Sequence, residues 1–176
     1  YIDNEQDGLW SYFANDGSVD EEISFSNGKK DGRSTLWLTS EEKQEEKFYR
    51  NGRLDGPSTF WKNGYRSIMT NYRSDIADGP WVIWYPNSEQ IKEQGFHQEG
   101  IKEGLTTYYY EDGTMQREGF YKNGLADGVW TYWNSRGEKD FDFDFGTGLE
   151  HVAIEDAPER ASDGLFYKIN EDVPFT

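Results

Sequence analysis

The chain contains no cysteine, which removes disulfide frameworks, thiol nucleophiles and Cys-based zinc sites and leaves the redox compartment open. Histidine is nearly as scarce. The two residues, His97 and His151, cannot supply both a nucleophile–base pair and a metal site. No apolar run approaches the roughly 18 residues of a helical membrane span. Positive charge is also short: 18 Lys and Arg stand against 34 Asp and Glu, a net charge of −16. Such a surface repels nucleic acid and anionic membrane and attracts basic partners. There is no Gly-x-Ser-x-Gly elbow, phosphate loop or His-Glu-x-x-His helix. Carboxylate pairs are so common here that two lying close together carry no specific message. The expectation is a non-enzymatic protein with no catalytic residues, no cofactor and no dedicated metal site.

What the chain has in quantity is rings. Aromatic residues make up 17% of the sequence, seven of them Trp, which separates it from disordered acidic chains. Its core must be built mostly of rings. An acidic residue followed by Gly recurs at Asp7-Gly8, Asp31-Gly32, Asp55-Gly56, Asp78-Gly79, Glu103-Gly104 and Asp127-Gly128, at intervals of 24, 24, 23, 25 and 24 residues. That period marks a repeat array.

Each copy follows one template. After Asp-Gly comes a strand with rings, as in Trp10-Ser-Tyr-Phe13 and Trp130-Thr-Tyr-Trp133, then an inner turn such as Asp16-Gly17 or Asp112-Gly113. A second strand carries Phe or Tyr near its end, at Phe25, Phe48, Tyr72, Phe96, Phe120 and Phe145. The stretch Asn123-Gly-Leu-Ala-Asp-Gly128 reads as a six-residue turn between one copy and the next, because Asn-Gly and Asp-Gly tolerate positive φ. The period within strands is two, so adjacent rings such as Tyr132 and Trp133 point to opposite faces. Glu41–Lys47 has good helix formers but falls where the template places a turn and a second strand. The expected fold is all-β: an elongated, twisted antiparallel meander of about six hairpin repeats, open at its ends.

The pattern Asp-Gly-x-Trp-x-x-Trp/Tyr, then Asp/Asn-Gly, then Phe/Tyr-x-Asn-Gly, running over residues 7–148, resembles the MORN repeat in its bacterial variant form. The resemblance implies stacked hairpins and an interaction role. The variant group includes antitoxins and immunity proteins of polymorphic toxins (the YwqK-like group), so it also implies a toxin partner bound and occluded. The alternative is a scaffold or spacer of the bacterial cell envelope. Residues 1–148 are expected to hold the array, with copies starting near 7, 31, 55, 78, 103 and 127. Residues 149–176 are expected to form a linker, a cap or the start of a further block, since Asp163–Thr176 is similar to the opening of many variant arrays. The sequence starts at Tyr1 without Met, so it is expected to be a processed or trimmed product whose missing front has room for a targeting segment, and periplasm or envelope is favoured over cytoplasm.

Two constellations are candidate partner sites. Trp37, Trp61, Trp84, Tyr109 and Trp133 recur at one template position. Equivalent residues lie two strands apart, ~9.6 Å, so each pair must have a second-strand side chain between its rings. The run Asp140-Phe-Asp-Phe-Asp-Phe145 puts Asp140, Asp142 and Asp144 on one face by strict alternation and the three Phe on the other. It reads as a final strand protecting an open edge, as a landing strip for a basic partner, or as a weak cation site. His97 reads as a solvated or sheet-face residue. The partner is expected to be a protein, in the finer reading a basic toxin.

Overall fold

The computed structural model describes residues 5–39, 41–146 and 149–151. Among them all regular structure is β, in a single antiparallel sheet. The strands are β1 (Gly8–Phe13), β2 (Val19–Ser26), β3 (Lys29–Trp37), β4 (Lys43–Arg50), β5 (Arg53–Lys62), β6 (Tyr65–Arg73) and β7 (Ile76–Trp84). They continue as β8 (Ile91–Gln98), β9 (Ile101–Lys102), β10 (Gly104–Tyr109), β11 (Met115–Lys122), β12 (Leu125–Trp133), β13 (Lys139–Asp144) and β14 (Leu149–His151). Neighbours in sequence are neighbours in the sheet, and only the two-residue β9 lies off the main path, paired with β8. The expected all-β meander is what the chain forms, and the helix formers of Glu41–Lys47 lead into β4. The expectations for the tail beyond His151 fall outside the described residues.

The turn expectation needs one correction. The reversal between copies is only two residues long: Asn123 and Gly124 have φ of 51° and 81°, and Lys122 pairs directly with Leu125. Both central residues with positive φ define the hairpin turn whose twist matches that of the strands. Asp127-Gly128 therefore lies inside β12, where the register shifts between Glu118 and Phe120. Asp-Gly is a bulge, not a corner. Its glycines are needed there: Gly56 has φ 125° with Phe48 Cβ 3.0 Å from where a methyl would stand, and Gly79 has φ 120° with Asn71 Cβ at 2.9 Å.

The acidic residue of the pair has its own task. Asn51 N donates to Asp31 Oδ2 at 3.0 Å, and Asn123 N donates to Glu103 Oε2 at 2.8 Å. A carboxylate at the start of a copy thus holds the outer turn that joins that copy to the next, 20 residues on. The turn amide beside it also bonds back across copies, from Gly52 N to Lys30 O at 2.7 Å and from Gly124 N to Lys102 O at 3.0 Å. Such contacts couple nearest neighbours, which is how a repeat array shares its stability.

A single sheet has two faces, and the register sorts them, because directly paired residues project to the same side. On one face a continuous row runs Trp10, Ile23, Ser34, Lys47, Ser58, Thr70, Trp81 and Gly95, resuming as Thr106, Gly119, Trp130 and Phe143. We call this the packed face. Most of the buried side chains lie on it: Ile23, Trp81, Tyr108, Trp130 and Phe141, with Ser34, Ser58 and Thr106. The indoles lie across glycines. A methyl at Gly95 would sit 2.7 Å from Thr106 Oγ1 and 2.8 Å from Trp81 Cζ2, and one at Gly119 would overlap the Trp130 ring.

Among the described residues there is no second layer, and cations and edge-on rings cover this face. Lys102 Nζ sits 4.4 Å from the Trp81 centroid, and the Arg117 guanidinium 4.1 Å from that of Tyr108. Tyr121 and Phe145 meet Trp130 edge-on at 5.2 and 5.7 Å. Tyr132 stacks on Phe141 at 4.5 Å. Burial pushes the Tyr108 phenol up, with the adjacent Tyr121 hydroxyl adding to the effect.

The second-strand ring on this face is opposite the bulge glycine in each copy: Tyr49 faces Gly32, Tyr72 faces Gly56, His97 faces Gly79 and Tyr121 faces Gly104. The second strands carry Phe or Tyr near their ends as expected, and the register sorts them: Phe25 and Tyr72 are on this face, but not Phe48, Phe96 and Phe120. Each of the last three is one residue early and projects to the other side. His97 is thus a sheet-face residue in an aromatic position, 5.7 Å from Trp81. Burial, then the nearby Lys102 charge, hold its pKa below 6.5.

A folded-state pKa below the unfolded value makes neutral His97 a stabilising element above pH 6.5. As pH falls through that value the unfolded chain takes the proton first, and stability drops until the folded-state pKa is reached. The His97→Phe variant should lack this contribution. Urea midpoints measured from pH 7.5 to 5.5 should fall more steeply for the natural chain than for the variant.

Candidate partner-binding face

The other face is less covered. Its central row runs Ser11, Glu22, Thr35, Glu46, Thr59, Met69, Val82 and Gln94, then Thr107, Glu118, Thr131 and Asp142. We call this the open face. The two candidate constellations of the sequence both bear on it.

The ring ladder lies along its inner-turn side. In every hairpin the register shifts immediately before the ladder residue: Leu36/Trp37, Phe60/Trp61, Ile83/Trp84, Tyr108/Tyr109 and Tyr132/Trp133. A bulge at a strand end re-aims the side chain beside it. The partners across these bulges are Lys43, Arg66, Ile91, Met115 and Lys139, so a second-strand side chain stands between successive rings. Lys43 Nζ lies 5.8 Å from the Trp37 centroid and 5.5 Å from that of Trp61. Arg66 stacks 4.8 Å from the Trp84 centroid, and its Nε donates to Glu89 Oε2 at 2.9 Å.

Tyr109 is held by its neighbours. Its hydroxyl accepts from Gln94 Nε2 at 2.9 Å, and its carbonyl accepts from the Tyr85 hydroxyl at 2.8 Å. Trp84 is buried, while Trp37, Trp61, Tyr109 and Trp133 are half-buried. A cavity of about 270 Å³ lies between the turns of the third and fourth hairpins, with Lys62, Asn63, Tyr65, Arg66, Trp84 and Asn87 in its walls.

The acidic strand differs from the expected alternation at one residue. Lys139 pairs with Trp133 and Phe141 with Tyr132, so Asp140 is the extra residue of a bulge. Strict alternation holds from Phe141 onward, with Asp142 opposite Thr131 and Asp144 opposite Val129 on the open face. Phe141 and Phe143 belong to the packed face. Asp142 forms an ion pair with Lys139 at 2.7 Å, and Asp144 Oδ1 accepts from Gly146 N at 2.8 Å. Among the described residues no group of three or more His, Asp or Glu is placed to hold a metal ion.

Sequence reasoning missed a third feature, on the outer-turn side of the same face. Phe96, Leu105, Phe120 and Val129 are 43, 46, 57 and 51% exposed. Pro80, paired with Phe96, is also exposed. Ile76, Ile101 and Leu125, each the first residue after an outer turn, extend the patch to the sheet margin. An apolar set of this length is more than the scattered exposed side chains normal on a protein surface. The signal was in the sequence, in neighbouring pairs such as Phe96-His97 and Phe120-Tyr121. Reading it required the register, since a one-residue error exchanges the faces.

These features define a single-sheet hairpin-repeat protein with one self-packed face and one open face. The family model for the MORN repeat variant matches residues 6–27 and 102–123, a quarter of the chain. The two matched stretches start 96 residues apart, four periods of 24, and each runs from just before an acidic-Gly bulge to the Asn of the next outer turn. They are therefore one structural unit at two places in the array. MORN repeats are generally interaction modules for proteins or membranes. No curated protein matches the chain.

Proposed function

We propose that this protein is a non-enzymatic protein-binding module that takes its partner on the open face. The observation that carries this reading is the uncovered apolar set Pro80, Phe96, Leu105, Phe120 and Val129 beside a ring ladder on the same side of one sheet. Desolvated rings and apolar side chains supply anchoring energy at interfaces, while a net charge of −16 steers oppositely charged partners. In its finer form the reading takes the partner to be a bacterial toxin and the role to be that of an antitoxin or immunity protein acting by occlusion. Support for that form is the MORN-variant match together with the acidic surface.

Mixing with a cognate toxin should give a complex that weakens as salt is raised and that blocks the toxin's activity. Recovery of the chain alone from its native host, under conditions where the toxin is present, would contradict the finer form. The scaffold or spacer reading draws on the uninterrupted sheet and its copy-to-copy hydrogen bonds, and neighbouring genes separate the two, since an antitoxin sits beside its toxin.

A further inference from the structure

The apolar strip of the open face has a shape and a charged surround that select among occupants. We infer that it docks a cationic amphipathic helix of a protein partner. This deepens the binding-module reading above and rests on it.

The strip crosses five strands, from Pro80 on β7 through Phe96, Leu105 and Phe120 to Val129 on β12. At ~4.8 Å per strand, four steps cover about 19 Å. Helical anchors at i, i+4, i+7 and i+11 cover about 17 Å at 1.5 Å per residue. An axis laid across the strands thus meets one apolar residue about every strand, the helix-in-groove mode of recognition. An added β-strand would instead need a free sheet edge, and β8, β10, β11 and β12 all lie in the sheet interior.

Charge then fixes the flanks of that helix. Asp127 is paired with Phe120, Asp144 with Val129, and Glu118 with Thr131 next to them. Asp144 accepts a backbone hydrogen bond, which leaves its negative charge in place, and Asp142 is paired with Lys139. Lys122 shares this face opposite Leu125. The surround is therefore acidic on balance, in a chain of net charge −16. A second copy would bring its own carboxylates against these, and an anionic lipid surface would meet the same repulsion. A helix with Lys or Arg flanking its apolar stripe meets attraction instead.

The test uses the full chain and a labelled 14-residue helical peptide with Leu at the four anchor positions and Lys on both flanks, followed by fluorescence anisotropy. A second peptide keeps the Leu residues and replaces Lys with Glu. We expect the Lys peptide to bind, to weaken with added salt, and to bind at least tenfold more weakly to the L105S/F120S variant. Phe120→Ser alone serves as the milder variant, and Phe60→Ser, an exposed ring on the packed face, should leave binding unchanged. Equal binding of the Glu peptide, or indifference to L105S/F120S, overturns the inference. So does a concentration-dependent dimer in sedimentation, or binding to phosphatidylcholine or phosphatidylserine vesicles, that is abolished by the same variant. If the peptide fails while a natural protein complex persists and responds to Trp61→Ala or Trp133→Ala, the module reading stands and this inference falls. A chain that engages no protein partner removes both.

Discussion

Replacing Gly119 with Ala should destabilise the protein by about 3 kcal/mol, the upper end of the usual cost of overpacking. Gly119 is not in the left-handed region, so the substitution carries no φ penalty. The cost comes from space: the added methyl would overlap Cγ, Cδ1 and Cδ2 of Trp130. Trp130 cannot move aside easily. It is 2% exposed, its Nε1 donates to Phe120 O at 3.1 Å, and Tyr121 and Phe145 press on it edge-on. Urea unfolding should show a lower midpoint with an unchanged slope. Gly17→Ala is the contrast. Its φ is +85° but nothing lies within 4 Å, so it should cost only about 1–2 kcal/mol of backbone strain.

Trp130→Ala should cost about 4 kcal/mol, within the range for truncating a buried indole. That is a large share of the stability of a domain this size. The substitution removes the ring that Tyr108, Tyr121 and Phe145 contact and opens the packed face across β11, β12 and β13. Because repeats lean on their nearest neighbours, hydrogen exchange should show protection lost first in those three strands, with β3 to β5 little changed. The double variant G119A/W130A should cost well under the sum of the two single changes, because the methyl then occupies space the ring has left.

The fold was legible in the sequence because its signals are local. A 24-residue spacing of acidic-Gly pairs, Asn-Gly reversals and two-residue ring periodicity all point to hairpins, and none depends on a distant contact. The site was less legible because it depends on register. Phe120 and Tyr121 are chain neighbours with similar rings, yet one is exposed on the open face and the other leans on Trp130. Nothing in their immediate sequence tells them apart until the pairing of Tyr121 with Gly104 is known. The bulges had the same effect. Strict alternation from Asp140 ignores the extra residue that sets Lys139 against Trp133, and Asp-Gly read as a corner hides the carboxylates that hold the following turn. Gly95 and Gly119 looked like ordinary repeat glycines, but their reason is an indole on the neighbouring strand, Trp81 and Trp130, 14 and 11 residues away in the chain.

The sharpest discrimination comes from Phe120→Ser and Tyr121→Ser compared by urea unfolding and by partner binding. If one face holds the protein together and the other meets the partner, Phe120→Ser leaves the unfolding free energy within about 0.5 kcal/mol of the natural chain and weakens binding severalfold. Tyr121→Ser lowers stability by about 2 kcal/mol or more. Equal destabilisation by the two changes, or binding that falls with Tyr121→Ser but is unchanged by Phe120→Ser, would contradict the division of the sheet into a packed and an open face.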